Sequence, residues 1–279
     1  MVKIETLVDD IYSLLERGGE DIPDSAYEEL GKRLAESIKH SMKREKRGTL
    51  RMSNVGTPCN RKLYYSVNHP ELAEGMPGWT YMKFLTGHVL EDILLFLAEQ
   101  SGHRVEGRQD EQEIEGVLGH RDAVIDGTTV DVKTASTYSF KKFESGQLSK
   151  DDPFGYIDQI QSYLYSAQDD PIVTDKDRAA FLVVDKTLGH ICLDIHQKQE
   201  VDYPAVYRYK KEIVNSDDLP ARGFSPEPDG KSGNEKLGLM CSYCDYKEAC
   251  WPTLRKFAYA NGPRYLTKVV KQPDVPEIK

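Results

Sequence analysis

The sequence predicts a mixed α/β fold in which a central sheet is flanked by helices. Residues 119–136, GHRDAVIDGTTVDVKTAS, contain two runs of apolar and β-branched residues around Asp126-Gly127, a dipeptide that favours a tight hairpin. A second hairpin is indicated at 179–196, around a turn at 187–189. Apolar residues at helical spacing before and after these strands indicate the flanking helices.

Two amphipathic helices are predicted at the amino terminus, over residues 3–17 and 25–47. Apolar residues recur every three or four positions in both, so one stripe of each helix is expected to face a core. Residues 215–236 are rich in Asp, Pro, Gly and Ser and are typical of a linker. We therefore predict a helical lobe at 1–79, a core at 80–215 and a carboxy-terminal segment at 216–279. The stripe of the second helix comprises Tyr27, Leu30, Leu34 and Ile38.

Composition restricts the classes of function. A net charge of −9 over 279 residues argues against a chain coated in basic surface, although a nucleic-acid groove needs only local positive charge. No apolar run approaches the length that spans a bilayer, so we expect a cytoplasmic protein with no membrane partner. Two basic clusters fit solvated helix faces as well as DNA contact: Lys39, Lys43, Arg44, Lys46, Arg47 and Arg51, then Arg255, Lys256, Arg264, Lys268 and Lys271.

The predicted hairpin at 119–136 contains the residues that most strongly indicate a catalytic site. Side chains alternate between the faces of a strand, so Asp131 and Lys133 project from one face, and Asp122 on the preceding strand can lie opposite them. Two neighbouring carboxylates are unfavourable unless a proton or a hard divalent cation lies between them. A D-x-K triplet is common by chance in strands, yet this arrangement indicates a Mg²⁺ or Mn²⁺ site beside a lysine.

The helix predicted at 80–100 has polar residues within its apolar pattern, namely His88, Glu91 and Asp92. A histidine at such a position is usually structural or solvent-facing, and on spacing alone metal ligation by His88 is the less frequent alternative.

The helix predicted at 154–167 presents a glutamine and a tyrosine one turn apart. Gln159 and Tyr163 share a face, but Gln161 and Tyr165 repeat the same spacing. The first pair is preferred because the apolar residues Ile160 and Leu164 then lie on a separate face.

Four of the five cysteines fit a metal site. The run Cys241-x₂-Cys244-x₅-Cys250 places three thiols close together, and an odd number of cysteines argues against a disulfide framework. A fourth thiolate would complete either a zinc tetrahedron or a four-iron cluster, and Cys59 is the natural candidate. Spacing alone does not separate zinc from iron. Cys192 lies in an apolar run and is expected to be a buried structural residue.

The ordered set of motifs resembles the P-D-(D/E)-x-K nuclease superfamily, and within it the RecB-like branch. The resemblance covers roughly residues 55–252, and each motif is weak while the ordered set is strong. The first motif lacks the proline of the superfamily's name, and the sequence has no helicase segment. We therefore expect a stand-alone nuclease similar to the CRISPR-associated iron–sulfur exonucleases, to AddB-type nuclease domains or to viral recombination exonucleases. The motifs are Cys59, Gly87-His88, Gly119-x-x-Asp122, Asp131-x-Lys133, Gln159-x-x-x-Tyr163 and the three late cysteines.

This resemblance implies a restriction-endonuclease-like core with an amino-terminal helical lobe and a carboxy-terminal segment clasped by cysteines. It also implies one or two divalent cations bound by His88, Asp122, Asp131 and the Val132 carbonyl, and an imidazole ligand would favour Mn²⁺ over Mg²⁺. Lys133 would orient the attacking water and stabilise the transition state.

Two further roles follow from the resemblance. Gln159 and Tyr163 would face the active site and position the DNA strand. A structural [4Fe–4S] cluster, favoured over zinc, would tie the segment before the core to the segment after it. Its ligands would be Cys59, Cys241, Cys244 and Cys250.

We thus expect a metal-dependent DNA exonuclease that prefers single strands and acts in recombination, repair, viral DNA processing or CRISPR adaptation. Its partners would be DNA ends and proteins of those processes, and self-association is left open. The alternatives are a non-catalytic scaffold that binds DNA ends and a structure-specific endonuclease. Retention of Asp122, Asp131 and Lys133 argues against the scaffold.

Overall fold

The computed structural model describes residues 3–43 and 48–278, which form two compact units. The first consists of the described parts of Met1–Lys46, Arg51–Gly56 and Met76–Tyr207. The second consists of the described parts of Arg47–Leu50, Thr57–Gly75 and Arg208–Lys279. Arg44, Lys46 and Arg47 of the early basic cluster lie outside the described residues.

The helices are α1 Leu7–Glu16, α2 Asp24–Met42, α3 Met52–Val55, α4 Asn60–Asn68, α5 Gly78–Gln100, α6 Thr137–Glu144, α7 Tyr156–Ser166, α8 Tyr203–Asn215, α9 Leu239–Ser242 and α10 Lys247–Cys250. The strands are β1 Val105–Glu106, β2 Asp110–Ile114, β3 Val117–Arg121, β4 Ala123–Ile125, β5 Thr128–Ala135, β6 Arg178–Asp185, β7 Ile191–Gln197, β8 Glu227–Pro228, β9 Glu235–Lys236, β10 Arg255–Tyr259, β11 Gly262–Lys268 and β12 Glu277–Ile278. Single 3₁₀ turns are formed by Ile4–Thr6, Pro70–Leu72 and Leu148–Lys150.

A five-stranded mixed sheet, in the order β1-β4-β5-β6-β7, organises the first unit. Its central pair, β5 and β6, is parallel, and the other pairings are antiparallel. Parallel neighbours need a crossover connection, which α6 and α7 provide here. The predicted fold class, a mixed sheet flanked by helices, is confirmed.

The sheet has a core on each face because strand side chains alternate. Val130 and Val132 of β5 pack with α1 and α5. Phe181 and Val183 of β6 pack with α6 and α7. The β4–β5 hairpin turns at Asp126-Gly127, both with positive φ (51° and 85°), as the Asp-Gly signal predicts.

The amino-terminal helices differ from expectation. The first packs on the sheet itself, with Leu7 and Ile11 fully buried in the core that contains β4 to β7. The second packs along α5, and none of its residues is buried; Tyr27 and Ile38 are 47% and 42% exposed. The apolar stripe of α2 therefore borders a neighbouring helix and solvent instead of a closed core.

The second unit contains an antiparallel sheet in the order β12-β10-β11-β9-β8, together with α4, α9 and α10. Two of its strands, β8 and β9, fall in the segment whose composition is typical of a linker. The unit also includes residues 57–75, so the segment 1–79, predicted as one lobe, is divided between the two units. Within the described ranges, no helix combines the length and apolar character that crossing a bilayer requires.

Candidate active site

Asp122 lies where the chain leaves one strand pairing and enters another. β3 pairs with β2 up to Arg121, whereas β4 pairs with β5 from Ala123 onward. The break frees the Asp122 side chain to reach β5, where its Oδ2 accepts a hydrogen bond from the Val132 N–H at 2.7 Å. The position of this carboxylate is thus set by the edge of the β4–β5 pairing.

Asp131 and Lys133 project from one face of β5, as the strand alternation predicts. Asp131 is buried, and its Oδ2 lies 2.5 Å from the Lys133 Nζ. Burial alone would lower the pKa of Lys133, but the carboxylates of Asp131 and Asp122 outweigh it and raise that pKa. Lys133 therefore stays a cation held against the carboxylates.

A third carboxylate, Glu91 of α5, joins this pair. Burial raises the pKa of Glu91 to about 7, and the charge of Asp131 adds to the effect. Burial likewise raises the pKa of Asp122 well above its ordinary value, with Asp131 and Glu91 next in importance. Three acidic side chains this close together, with the pKa values of Glu91 and Asp122 raised, form a site that favours a bound proton or a cation. The sequence offered one sign of Glu91, an acid interrupting an apolar helix.

Gln109 bridges two of these carboxylates. Its Nε2 donates to Glu91 Oε1 at 2.7 Å and to Asp122 Oδ1 at 3.3 Å, and its backbone N–H donates to the Asp122 carbonyl at 3.1 Å. It has a φ of 55°, a conformation that is rare for residues other than glycine. Nothing in the sequence pattern indicated this residue, because its role depends on where the turn before β2 meets α5.

The two Gln/Tyr pairs of α7 have different environments. Gln159 Oε1 lies 3.4 Å from Lys133 Nζ, and Gln159 also hydrogen bonds Tyr163, whose pKa burial raises to about 12. Gln161, in contrast, is buried, and its side-chain amide donates to the Gln197 carbonyl at 2.8 Å, a contact that joins α7 to β7. The pair preferred from the sequence is thus the one that borders the lysine.

His88 lies one turn before Glu91 on α5, and its side chain is exposed. Its ring is 6.4 Å from that of His40, in an edge-to-face arrangement. The carboxylate that α5 contributes to the cluster comes from Glu91, while metal binding by His88 and by the Val132 carbonyl stays a prediction. In the described parts of the chain, no three His, Cys, Asp or Glu side chains are spaced as a preformed metal site.

The four predicted cluster cysteines line one cavity of the second unit, together with Arg61, Gly223 and Trp251. Burial raises the pKa of Cys241 to about 11, with smaller contributions from the other three thiols. A Cβ added to Gly223 would lie 3.1 Å from the Cys59 Sγ, so this glycine lets the backbone close over the thiol. The four cysteines are Cys59, Cys241, Cys244 and Cys250. Cys192 is buried in the core of the first unit, as predicted.

The late basic cluster is largely neutralised within the second unit. Arg255 pairs with Glu277 at 2.6 Å, Arg264 with Asp229 at 2.7 Å, and Lys268 with Glu235 at 3.5 Å. These ion pairs favour the solvated-surface interpretation over DNA contact.

No protein-family model matches this chain, and no curated protein matches it. Among solved structures, SSO0001 is similar over 79% of this chain and 93% of its own, with 14% identity and a TM-score of 0.41. An alkaline exonuclease (LHK-Exo) from Laribacter hongkongensis is similar over 64% of this chain and 90% of its own, with 14% identity and a TM-score of 0.41. A phage-related exonuclease from Haemophilus somnus 129PT is similar over 61% of this chain and 91% of its own, with 16% identity and a TM-score of 0.32. At these identities and TM-scores, the likenesses give no information about the function of this chain.

Proposed function

We propose that the chain is a cytoplasmic, divalent-metal-dependent DNA nuclease of the P-D-(D/E)-x-K superfamily, RecB-like branch, and most specifically an exonuclease that prefers single strands. The observation that carries the proposal is the cluster of Glu91, Asp122 and Asp131 around Lys133, in which burial and the neighbouring carboxylates raise the pKa values of Glu91 and Asp122. A purely structural site would gain nothing from crowding three acids together.

The chemical groups of these side chains are of the types that metal-dependent phosphodiester hydrolysis requires. Asp122, Asp131 and Glu91, with His88 and the Val132 carbonyl, would hold one or two ions of Mg²⁺ or Mn²⁺. Such an ion supplies Lewis-acid stabilisation of the phosphate and lowers the pKa of a coordinated water.

The remaining residues act on substrate and water. The Lys133 ammonium, fixed by Asp131, would orient the attacking water and stabilise charge on the phosphate oxygens. Gln159 and Tyr163 would position the strand, since Gln159 lies beside that ammonium. Lys133→Ala is therefore expected to abolish metal-dependent cleavage.

The test is cleavage of end-labelled linear single-stranded DNA beside a circular strand, with Mn²⁺ or Mg²⁺ and with Asp131→Asn as the matched inactive control. Metal-dependent loss of only the linear strand is the expected result. Loss of the circle as well would identify an endonuclease. No cleavage by correctly folded protein would contradict the nuclease and favour a scaffold that binds DNA ends.

The four cavity cysteines would bind a structural [4Fe–4S] cluster. Their donor chemistry fits, because four thiols line one cavity. The cluster would join residues 57–75 to the carboxy-terminal segment within the second unit. Anaerobically purified protein should be brown and contain about four irons per chain. Colourless protein with stoichiometric zinc would contradict the iron assignment.

A nuclease of this kind would act on DNA ends in recombination, repair, viral DNA processing or CRISPR adaptation. Its partners would be the DNA and the proteins of those processes, with self-association open.

A further inference from the structure

A row of aromatic rings runs from the core of the first unit to its surface. Phe181, fully buried on β6, lies 5.5 Å from Phe143 and 6.4 Å from Tyr156, measured between ring centroids. Tyr156 is half-buried and lies 5.6 Å from Phe154. Phe154 ends the row with 58% of its surface exposed.

The row passes directly beside the candidate active site. The Lys133 Nζ lies 5.0 Å from the centroid of the Tyr156 ring and 6.0 Å from that of Phe181. The exposed ring of Phe154 is therefore one ring away from the lysine that contacts Asp131.

The segment that presents Phe154 is held in place by two independent features. The Asp152 carboxylate accepts hydrogen bonds from the backbone N–H groups of Phe154, Gly155 and Ile157 at 3.3, 3.0 and 2.8 Å. Gly155, with a φ of 76°, also packs so closely on Gly56 that a Cβ would overlap the Gly56 carbonyl. A segment fixed in this way keeps a large apolar ring in water, forgoing the stabilisation that burial would give.

We propose that Phe154, backed by Tyr156, is a stacking platform for an unpaired nucleobase of the strand that enters the site. This inference rests on the proposed nuclease function and assigns the side chain that contacts a base of its single-stranded substrate. Any base offers a π-face to such a ring, whereas a base within a duplex has both faces covered by its neighbours. A nucleotide also brings a phosphate towards the Lys133 ammonium, whereas a purely apolar protein partner offers that ammonium no group to bind.

Binding is measured by fluorescence anisotropy with a labelled single-stranded oligonucleotide, without added divalent cation, so that no cleavage is needed. Phe154→Ala is expected to weaken binding by about tenfold, and Phe154→Trp to retain it. Leu188→Ala is the matched control, because Leu188 is 57% exposed in the β6–β7 turn of the same unit. An abasic strand of equal length should bind more weakly and be insensitive to Phe154→Ala.

Equal binding of the wild type and Phe154→Ala would overturn the platform. So would a Phe154→Ala loss that is as large on the abasic strand, because the ring would then act on the backbone or on the fold. An RNA strand affected like the DNA would assign both nucleic acids to the platform, and a DNA-only effect would restrict it to DNA. Binding that depends on Phe154 in a protein that never cleaves would remove the nuclease proposal and leave this inference standing. Cleavage by a protein whose binding of the strand does not depend on Phe154 would support the nuclease proposal and remove the platform.

Discussion

Within the candidate site, carboxylates that repel one another are each stabilised by a hydrogen-bond donor or an ammonium from a nearby residue. Asp122 accepts from the Val132 N–H, Asp131 contacts the Lys133 ammonium, and Gln109 donates to both Glu91 and Asp122. Each donor offsets part of the repulsion between carboxylates, but the pKa of Glu91 remains raised to about 7. The site is therefore poised to exchange a proton for a cation near neutral pH.

Gln109 is expected to align the carboxylates for metal binding. Gln109→Gly removes the bridging amide while keeping a residue that tolerates a φ of 55°. Loss of such a hydrogen bond to a carboxylate ligand should weaken Mn²⁺ binding by about tenfold, measured by electron paramagnetic resonance of free Mn²⁺. Glu115→Gly is the matched control, since Glu115 has a φ of 53° at the distal turn of β2–β3. Unchanged Mn²⁺ affinity in Gln109→Gly would contradict the role.

The raised pKa of Glu91 also predicts how stability depends on pH. The group has an ordinary pKa of 4.5 and a folded-state pKa of about 7, so the folded protein binds the proton more tightly than the unfolded chain. Without added divalent cation, the free energy of unfolding should decrease as pH rises from about 5 to 8. Chemical denaturation across that range should give a smaller decrease for Glu91→Gln, which cannot ionise. An equal slope in both proteins would show that Glu91 is not responsible.

At the scale of elements, two local features place the site. The break between β3 and β4 directs Asp122 towards β5, and the amino terminus of α7 begins where Gly155 packs on Gly56 of the turn after α3. The second feature sets the position of α7, and with it Gln159 and Tyr163 beside Lys133. The requirement for glycine at 155 is thus both conformational and steric.

Gly155→Ala is expected to destabilise the first unit and to reduce cleavage. Gly146→Ala is the control that separates two costs, because Gly146 has a φ of 64° but open space around its Cα. The free energy of unfolding of Gly146→Ala should fall by about 1–2 kcal/mol, because of the left-handed backbone alone. That of Gly155→Ala should fall by a further ~1–3 kcal/mol, because the new Cβ overlaps the Gly56 backbone. Equal losses in the two variants, measured by urea denaturation, would mean that the backbone around Gly56 moves to accommodate the new Cβ without further loss of stability.

At the scale of the whole molecule, the chain builds its two units from interleaved segments. Residues 57–75 lie between α3 and α5 in sequence, yet they belong with residues 208–279. This grouping brings Cys59 to the cavity lined by the three late cysteines. A cluster bound there would link segments far apart in the chain, and a link of that kind restricts the unfolded chain most strongly.

Loss of one cavity thiol is therefore expected to weaken the second unit and spare the site of the first. Cys250→Ser should reduce bound iron and lower the melting temperature of the second unit by about 5 °C or more. Cys192→Ser is the control, because Cys192 lies in the core of the first unit. Mn²⁺ binding at the carboxylates should persist in Cys250→Ser. Iron content equal to that of the wild type would argue against Cys250 as a ligand.

Features encoded within a few neighbouring residues were predictable before the fold was known. Hydrophobic periodicity predicted the helices and strands around the sheet, Asp126-Gly127 predicted the hairpin, and strand alternation predicted that Asp131 and Lys133 share a face. Helical spacing offered two Gln/Tyr pairs with nearly equal support, since a period alone does not state which face of a helix meets the sheet.

Contacts between elements that are distant in the sequence became visible only in the folded chain. Glu91 and Gln109 join Asp122 because α5 and the turn before β2 converge on the β3–β4 break, and no local pattern encodes that approach. The same holds for Gln159 beside Lys133 and for the division of residues 1–79 between two units. Chemical identity and local conformation are properties of short segments, whereas contacts between distant segments follow from how the whole chain packs its apolar surfaces.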